Sequence, residues 1–163
     1  MAKKQIPEQP IDQGGKTANY TGNVLEKFVQ DRLNERGYTF VPREKFEPAK
    51  HIGQPIYTKQ FFVGLSIYEN NLFADFVLYH PQKHPNCLII EVKWQQSAGS
   101  VDEKYPYLIL NINMKHPYET VLLLDGGGYT KGAEKWVRGH VGNRLKKVMN
   151  MSEFQIWANK NHI

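Results

Sequence analysis

The chain has 163 residues, and 21 Lys and Arg against 16 Asp and Glu give it a formal charge of +5 with histidine neutral. Hydrophobic residues at 40% and charged residues at 23% are an ordinary globular balance, which excludes wholesale disorder. The length suits one domain with its own core, and the single cysteine, Cys87, excludes an intramolecular disulfide or a cysteine-based zinc cluster and fits a reducing compartment. No apolar run reaches the roughly 20 residues that span a bilayer, and the opening MAKKQIPEQPIDQGG lacks the apolar core of a secretory signal. The expectation is a soluble, mildly basic, cytoplasmic protein. A flexible arm over residues 1–18, rich in Lys, Gln, Pro and Gly, precedes a single domain over 19–163.

Structure is expected to begin near Tyr20. Val24, Leu25, Phe28, Val29 and Leu33 recur at helical spacing between Thr21, an N-cap residue type, and Gly37, placed as a C-cap glycine. Tyr38 to Val41 reads as a short extended exit ended by Pro42, and residues 42–58, with Pro42, Pro48, Gly53 and Pro55 and no period, as a long loop. QFFVGLSIYE and LFADFVLYH flank Asn70-Asn71 and predict a hairpin. After PQKHPN, the run CLIIEVKWQ predicts a buried strand. Ser100 and Glu103 form a capping-box pattern for a helix to about Lys115 with Tyr105, Leu108, Ile109 and Ile112 on its apolar face; Pro106 predicts that it is bent or starts late. TVLLLDGGG predicts a buried strand and a glycine-rich turn, residues 132–141 a third helix, and SEFQIWA a last strand.

Charge inside these strands is the strongest chemical signal. Asp75 lies in the otherwise apolar FADFVLY, where an ionised carboxylate is costly unless paired or bound to a metal. In IIEVKW the two-residue strand period places Glu91 and Lys93 on one face, with Val92 and Trp94 on the other, and Gln95 continues the charged face. If the two strands are neighbours, Asp75, Glu91 and Lys93 converge. Two carboxylates supply hard oxygen ligands for Mg2+, and a lysine beside them holds or activates an attacking water and stabilises a phosphoryl transition state. Phosphodiester hydrolysis is the matching reaction. The same D…ExK pattern also describes a buried carboxylate–lysine pair with a structural role, and on the residues alone both readings stand.

The order of elements adds a second line. A helix, a hairpin carrying Asp75, a strand carrying Glu91-Val92-Lys93, then helix and strand, over roughly Thr21 to Gly128, resembles the PD-(D/E)XK nuclease superfamily, the restriction-endonuclease-like proteins. Ala74-Asp75 stands for the "PD" element without its proline, Glu91-x-Lys93 matches the second half, and WQQSAGSVDEKYPYLI is similar to the segment after the E-x-K in some of these proteins. The resemblance implies an α/β fold with a mixed sheet and an α-β-β-β-α-β core, and a metal-dependent DNA endonuclease of restriction type. A structure-specific or junction-cleaving nuclease and a non-catalytic DNA-binding module are its alternatives. It also implies Mg2+ as cofactor, with Mn2+ substituting, and a homodimer. Asp75, Glu91 and the Val92 carbonyl would ligate the metal, and Lys93 would activate or orient water. Glu26 would be an additional acidic residue at the site and Gln95 a positioning residue; on a helical wheel Glu26 borders the apolar stripe, where a solvated glutamate fits equally.

The remaining features are weaker. Lys131, Lys135, Arg138, Arg144, Lys146 and Lys147, against the single acid Glu134, form a basic stretch suited to a phosphate backbone, to be held together with the loop over 43–58; a solvated basic face reads the same way. Asp125-Gly126-Gly127-Gly128 lacks the GxxxxGK[ST] order of a nucleotide-binding loop and reads as a tight turn, with DNA-backbone contact second. His80 and His84 lie in a proline-flanked loop that gives no zinc geometry.

Overall fold

The computed structural model describes residues 14–99 and 102–163, with side chains from residue 23 onward in those spans. Helix α1 (Gly14–Glu35) leads through strand β1 (Thr39–Phe40) and helix α2 (Arg43–Ala49), closed by a 3-10 turn (Lys50–Ile52), to three long strands, β2 (Ile56–Leu65), β3 (Asn71–His80) and β4 (His84–Trp94). Helix α3 (Lys104–Lys115), strand β5 (Glu119–Asp125), helix α4 (Lys131–Gly139), strand β6 (Leu145–Met149) and helix α5 (Met151–Asn159) complete the order. The strands form one six-stranded mixed sheet in chain order, antiparallel at β2–β3 and β3–β4 and parallel elsewhere. The expected α-β-β-β-α-β core is α1-β2-β3-β4-α3-β5, and the α/β class is as expected.

Burial explains the layers. Leu25, Val29 and Leu33 of α1 pack with Phe154 and Ala158 of α5 on Phe76, Leu78, Ile90 and Val92. Ile109 and Ile112 of α3 and Val137 of α4 pack on Leu122, Leu124 and Val148 from the other face, and Phe46 of α2 covers Val77 and Ile89. The alternation of Ile89 and Ile90 between two clusters is the two-residue strand period in full burial. At the end of α1, Gly37 (φ 81°) carries a Schellman closure, its N–H donating to Asn34 O and that of Tyr38 to Leu33 O, both at 3.1 Å.

Several sequence expectations are corrected. Helix α1 runs from Gly14, so Thr21 and residues 14–18 of the expected arm lie inside it; periodicity locates a buried face, not a helix end. Residues 1–13 of the arm lie outside the described residues. The predicted loop over 42–58 holds α2, the 3-10 turn and the start of β2, because a seven-residue helix with one buried side chain, Phe46, shows no period. Helix α3 starts late, as Pro106 required, and that proline sits in the first turn, where its missing N–H costs nothing; Ser100 lies outside the described residues. The largest change is at the end. SEFQIWA is helix α5, and the strand is LKKVM just before it, an edge strand whose lysines hide its alternation. Asn150 and Glu153 form a capping box, with Asn150 Oδ1 accepting from Glu153 N and Glu153 Oε2 from Asn150 N, each at 2.8 Å.

Asn150→Ala is therefore expected to cost about 1 kcal/mol in urea denaturation. Combining it with Glu153→Ala should give less than the sum of the single losses, because the two side chains act on one helix end.

Candidate active site

The last registered rung between β3 and β4 is Phe76 with Ile90. Beyond it the Val92 N–H donates not to a strand carbonyl but to Asp75 Oδ2 at 2.9 Å. A side-chain carboxylate thus replaces the ladder at the point where the two strands part. Strand β4 stays straight there because its other edge remains paired with β5 through Trp94. Glu91 and Lys93, on the face away from α1, project beside Asp75, with Lys93 Nζ 3.4 Å from Asp75 Oδ2 and 3.5 Å from Glu91 Oε2. On the far side of Asp75, Gln60 Nε2 donates to Oδ1 at 3.2 Å, and Arg43 Nη1 donates to the Gln60 carbonyl at 3.2 Å.

Burial divides the roles. The Glu91 side chain is only 5% exposed, whereas Lys93 is 41% exposed and opens to solvent. Burial, reinforced by the Asp75 carboxylate, holds the Glu91 carboxyl well above its ordinary range. Burial pulls the Lys93 ammonium down, but Asp75 and Glu91 outweigh it and hold that group above the ordinary lysine range, so it stays a cation. Behind Glu91, His116 donates or accepts at Thr120 Oγ1 (2.9 Å), and burial lowers its pKa to about 4, which keeps it neutral. Its Nε2 stands 3.8 Å from Glu91 Oε1, beyond hydrogen-bond reach, and among the described residues the buried Oε1 has no hydrogen-bond partner.

That orphaned oxygen tests the fit of a metal. Among the described residues no group of three or more His, Cys, Asp or Glu side chains is placed to hold a metal ion, so a site here has two carboxylates, with backbone oxygen and water to complete it. The Val92 carbonyl leaves the strand on the same side as its N–H, toward Asp75, where the β3 ladder has ended. Asp75, Glu91 and the Val92 carbonyl are all hard oxygen donors, and they fit a small divalent cation such as Mg2+.

The segment after Lys93 is clamped by the glycine-rich turn. Gln95 N donates to Asp125 O (2.8 Å) and Gly128 N to Gln95 O (2.7 Å), while the Asp125 carboxylate accepts from Gly126 N (2.7 Å) and Met151 N (2.8 Å). The amides of Gly126 and Gly128 are consumed in the turn, which is the tight-turn reading and not a phosphate cradle. A Cβ on Gly126 would lie 2.3 Å from Gln95 O, and one on Gly128 2.6 Å from the Gln96 carbonyl carbon. The Gln95 side chain donates to the Ser97 carbonyl and lines a cleft of about 400 Å3 with Glu91, Lys93, Phe73, Lys104 and Tyr107.

The other predicted residues scatter. Glu26 rides on α1, which packs against the opposite face of the sheet, and among the described residues its ion pair is with Lys59, at 2.9 Å. Lys59 stands in register with Phe76, one residue from Asp75. The basic stretch is not one surface. Lys131 and Lys135 are exposed on α4, whereas Arg138 is taken up by Glu134 (3.0 Å), Glu153 (2.9 Å) and the Val148 carbonyl (2.8 Å). Lys146 pairs with Glu119 at 3.3 Å. Arg144 borders a cavity with Lys50, Lys83 and Cys87, and Lys147 a groove beside α5. Arg144 O accepts from Thr120 N, two residues along β5 from Leu122, the partner of Glu91, and four from Leu124, the partner of Lys93. His80 accepts from the Gln82 and Lys83 amides, and His84 meets the His162 carbonyl, so neither is set for zinc.

Sequence reading missed Gln60, Arg43, Lys104 and His116 as neighbours of the site. Only strand register could have found Gln60, which sits opposite Asp75 between the pairs Lys59–Phe76 and Phe61–Ala74.

The family model for the PD-(D/E)XK nuclease superfamily domain matches residues 17–162. Comparison with curated proteins and with solved structures gives no match. The superfamily match supports a nuclease-type, hydrolytic function with nucleic acid as the partner, in a family that usually uses divalent metals. Among the described residues no helix is long and apolar enough to cross a membrane.

Gly126→Ala tests the clamp. Its positive φ (107°) and the collision with Gln95 are expected to cost on the order of 1–3 kcal/mol. Gly127→Ala, with nothing near its Cβ, carries only the strain of its own positive φ and should cost less in the same thermal melt.

Proposed function

The chain belongs to the PD-(D/E)XK nuclease superfamily, and from that premise we propose that it is a Mg2+-dependent endodeoxyribonuclease whose centre is Asp75, Glu91 and Lys93. The observation that carries this reading is their convergence at the parting of β3 and β4, with a buried Glu91 oxygen that has no hydrogen-bond partner among the described residues. Asp75, Glu91 and the Val92 carbonyl would hold the metal, which when bound supplies Lewis-acid stabilisation of phosphoryl oxygens and an acidified water; Mn2+ is expected to substitute.

The protein's own groups do the rest. In hydrolysis the water oxygen bonds to phosphorus as the bond from phosphorus to the ester oxygen breaks; the water gives up one proton, which passes to solvent, and the departing ester oxygen takes one up from solvent. Lys93, beside the Asp75 and Glu91 carboxyl groups, activates or orients that water and offsets the negative charge gathering on the phosphoryl group. Gln60 and the Val92 N–H fix the Asp75 carboxylate in place. Arg43, one hydrogen bond beyond Gln60, and Lys104 at the cleft are the cations placed to receive flanking phosphates. Lys131 and Lys135 extend that contact along α4, and Gln95 positions substrate at the cleft.

Two modes of action fit this centre. A restriction-type enzyme acts as a homodimer that cuts both strands of a duplex, and a junction-cleaving or other structure-specific nuclease is favoured by the aromatic lining of the cleft beside Lys93. A buried free thiol at Cys87 accords with a cytoplasmic setting.

Supercoiled plasmid and a branched DNA, incubated with wild type and Lys93→Ala in Mg2+ and in EDTA, test the reading. Cutting in Mg2+ alone that falls roughly 100- to 1,000-fold in the variant is expected. Equal cutting by the variant, or cutting that survives EDTA, would refute the assignment. A separate expectation concerns the metal alone. Mg2+ or Mn2+ should raise the melting temperature of the wild type and leave that of an Asp75→Ala, Glu91→Ala double variant unchanged.

A further inference from the structure

The cleft beside Lys93 has one charged wall and one aromatic wall. Phe73 of β3 and Tyr107 of α3 line it together with Glu91 and Lys93. Phe73 is 41% exposed and meets Phe62, itself 50% exposed, edge to face at 5.7 Å. Tyr68, 70% exposed, stacks on Tyr107 with centroids 5.1 Å apart and planes inclined by 24°. Phe73 and Tyr107 line the cleft and Phe62 and Tyr68 back them, so aromatic surface stays open to solvent beside the candidate centre, as it does at many ligand surfaces.

This wall is held rigidly. The Asn111 side chain, buried in the middle of α3, accepts from Ile67 N (2.9 Å) and donates to the Tyr107 carbonyl (3.0 Å), tying the β2–β3 loop to the helix. Ser66 Oγ accepts from the Tyr68 and Asn70 amides, which fixes the loop that carries Tyr68. The rings are therefore set before any ligand arrives, and little ordering cost remains for binding.

From the wall and the centre together we infer that the cleft stacks an unpaired nucleobase, so that the substrate class is DNA carrying single-stranded or extruded bases next to the cut phosphate. In a duplex the base faces cover one another and only edges and phosphates are presented. A side chain ring reaches the face of a base only where pairing and stacking are broken. The cleft is continuous with the centre, since Glu91 and Lys93 line it too, and Lys104 at its margin supplies positive charge for the backbone of such a strand. This inference rests on the nuclease reading above and selects the structure-specific form of it.

Binding measured in EDTA separates this inference from catalysis. The probes are a fluorescent 12-nucleotide oligothymidine and a fully paired duplex of the same length, read by anisotropy at fixed salt. Wild type should bind the single strand at least tenfold more tightly than the duplex. Phe73→Ala should lose on the order of tenfold for the single strand, and Phe73→Trp should restore it, with emission from the new indole quenched on binding. Phe73→Leu, which keeps apolar bulk without a ring, should remain weak; circular dichroism melts establish that each variant is folded, and Tyr68→Ala serves if Phe73→Ala is not. Duplex bound as tightly as single strand, or single-strand affinity unchanged across these variants, would overturn base stacking. If Mg2+-dependent cutting is still lost in Lys93→Ala in that case, the nuclease reading survives alone; base stacking found without any cutting would remove the nuclease reading instead.

Discussion

A hydrogen bond from the Val92 amide to the Asp75 carboxylate, 2.9 Å long, governs this molecule. Two neighbouring antiparallel strands normally satisfy each other, and a strand interior excludes charge. Here pairing stops at Phe76 and Ile90, the strands separate, and a carboxylate fills the gap left by the missing strand carbonyl. The candidate site follows from that substitution. The bond holds Asp75 beside Glu91 and sets Lys93 Nζ 3.4 Å and 3.5 Å from the two carboxyl groups.

The arrangement opposes stability, and the rest of the fold bears it. Glu91 is buried beside a second carboxylate, with one oxygen unsatisfied and a neutral histidine behind it. Such a group costs free energy unless a cation completes it. Strand β4 tolerates the cost because its opposite edge is registered with β5 along seven consecutive pairs, from Leu88–Glu119 to Trp94–Asp125. Its exit is pinned by a glycine turn that admits no side chain at two positions. The parallel crossovers through α3 and α4 then close one face over the aliphatic residues of β5. Rigidity on one side of β4 is what permits incomplete pairing on the other.

Much of this was legible from residue order. The buried strands around Asp75 and Glu91 declared themselves because charge interrupts runs that are otherwise fully apolar, and Gly37 marked the end of α1 by the left-handed turn that only it adopts cheaply there. Other parts were hidden for physical reasons. Helix α2 buries one side chain and so has no period, and β6 carries two exposed lysines where alternation would be read. Asn150-x-x-Glu153 was a readable helix start, overshadowed by the β-prone FQIW that follows it. At the site, spacing foretold that Glu91 and Lys93 share a face, but not that Glu26 would approach from the other side and pair with Lys59. Nor does a run of basic residues in sequence make one basic surface, since Arg138 is taken up by Glu134 and Glu153 and the others are spread over α4, β6 and the segment between them. The aromatic wall was invisible because Phe62, Tyr68, Phe73 and Tyr107 meet only through the hairpin and its lock on α3.

The claim beneath all of this is that the parting of β3 and β4 makes a cation site. Anomalous scattering from crystals of the protein soaked in Mn2+ locates that cation without reference to activity. One peak in contact with Asp75, Glu91 and the Val92 carbonyl is the predicted result. Manganese bound elsewhere on the chain, with Asp75 and Glu91 left holding Lys93 alone, would contradict it and return the three charges to a structural ion pair.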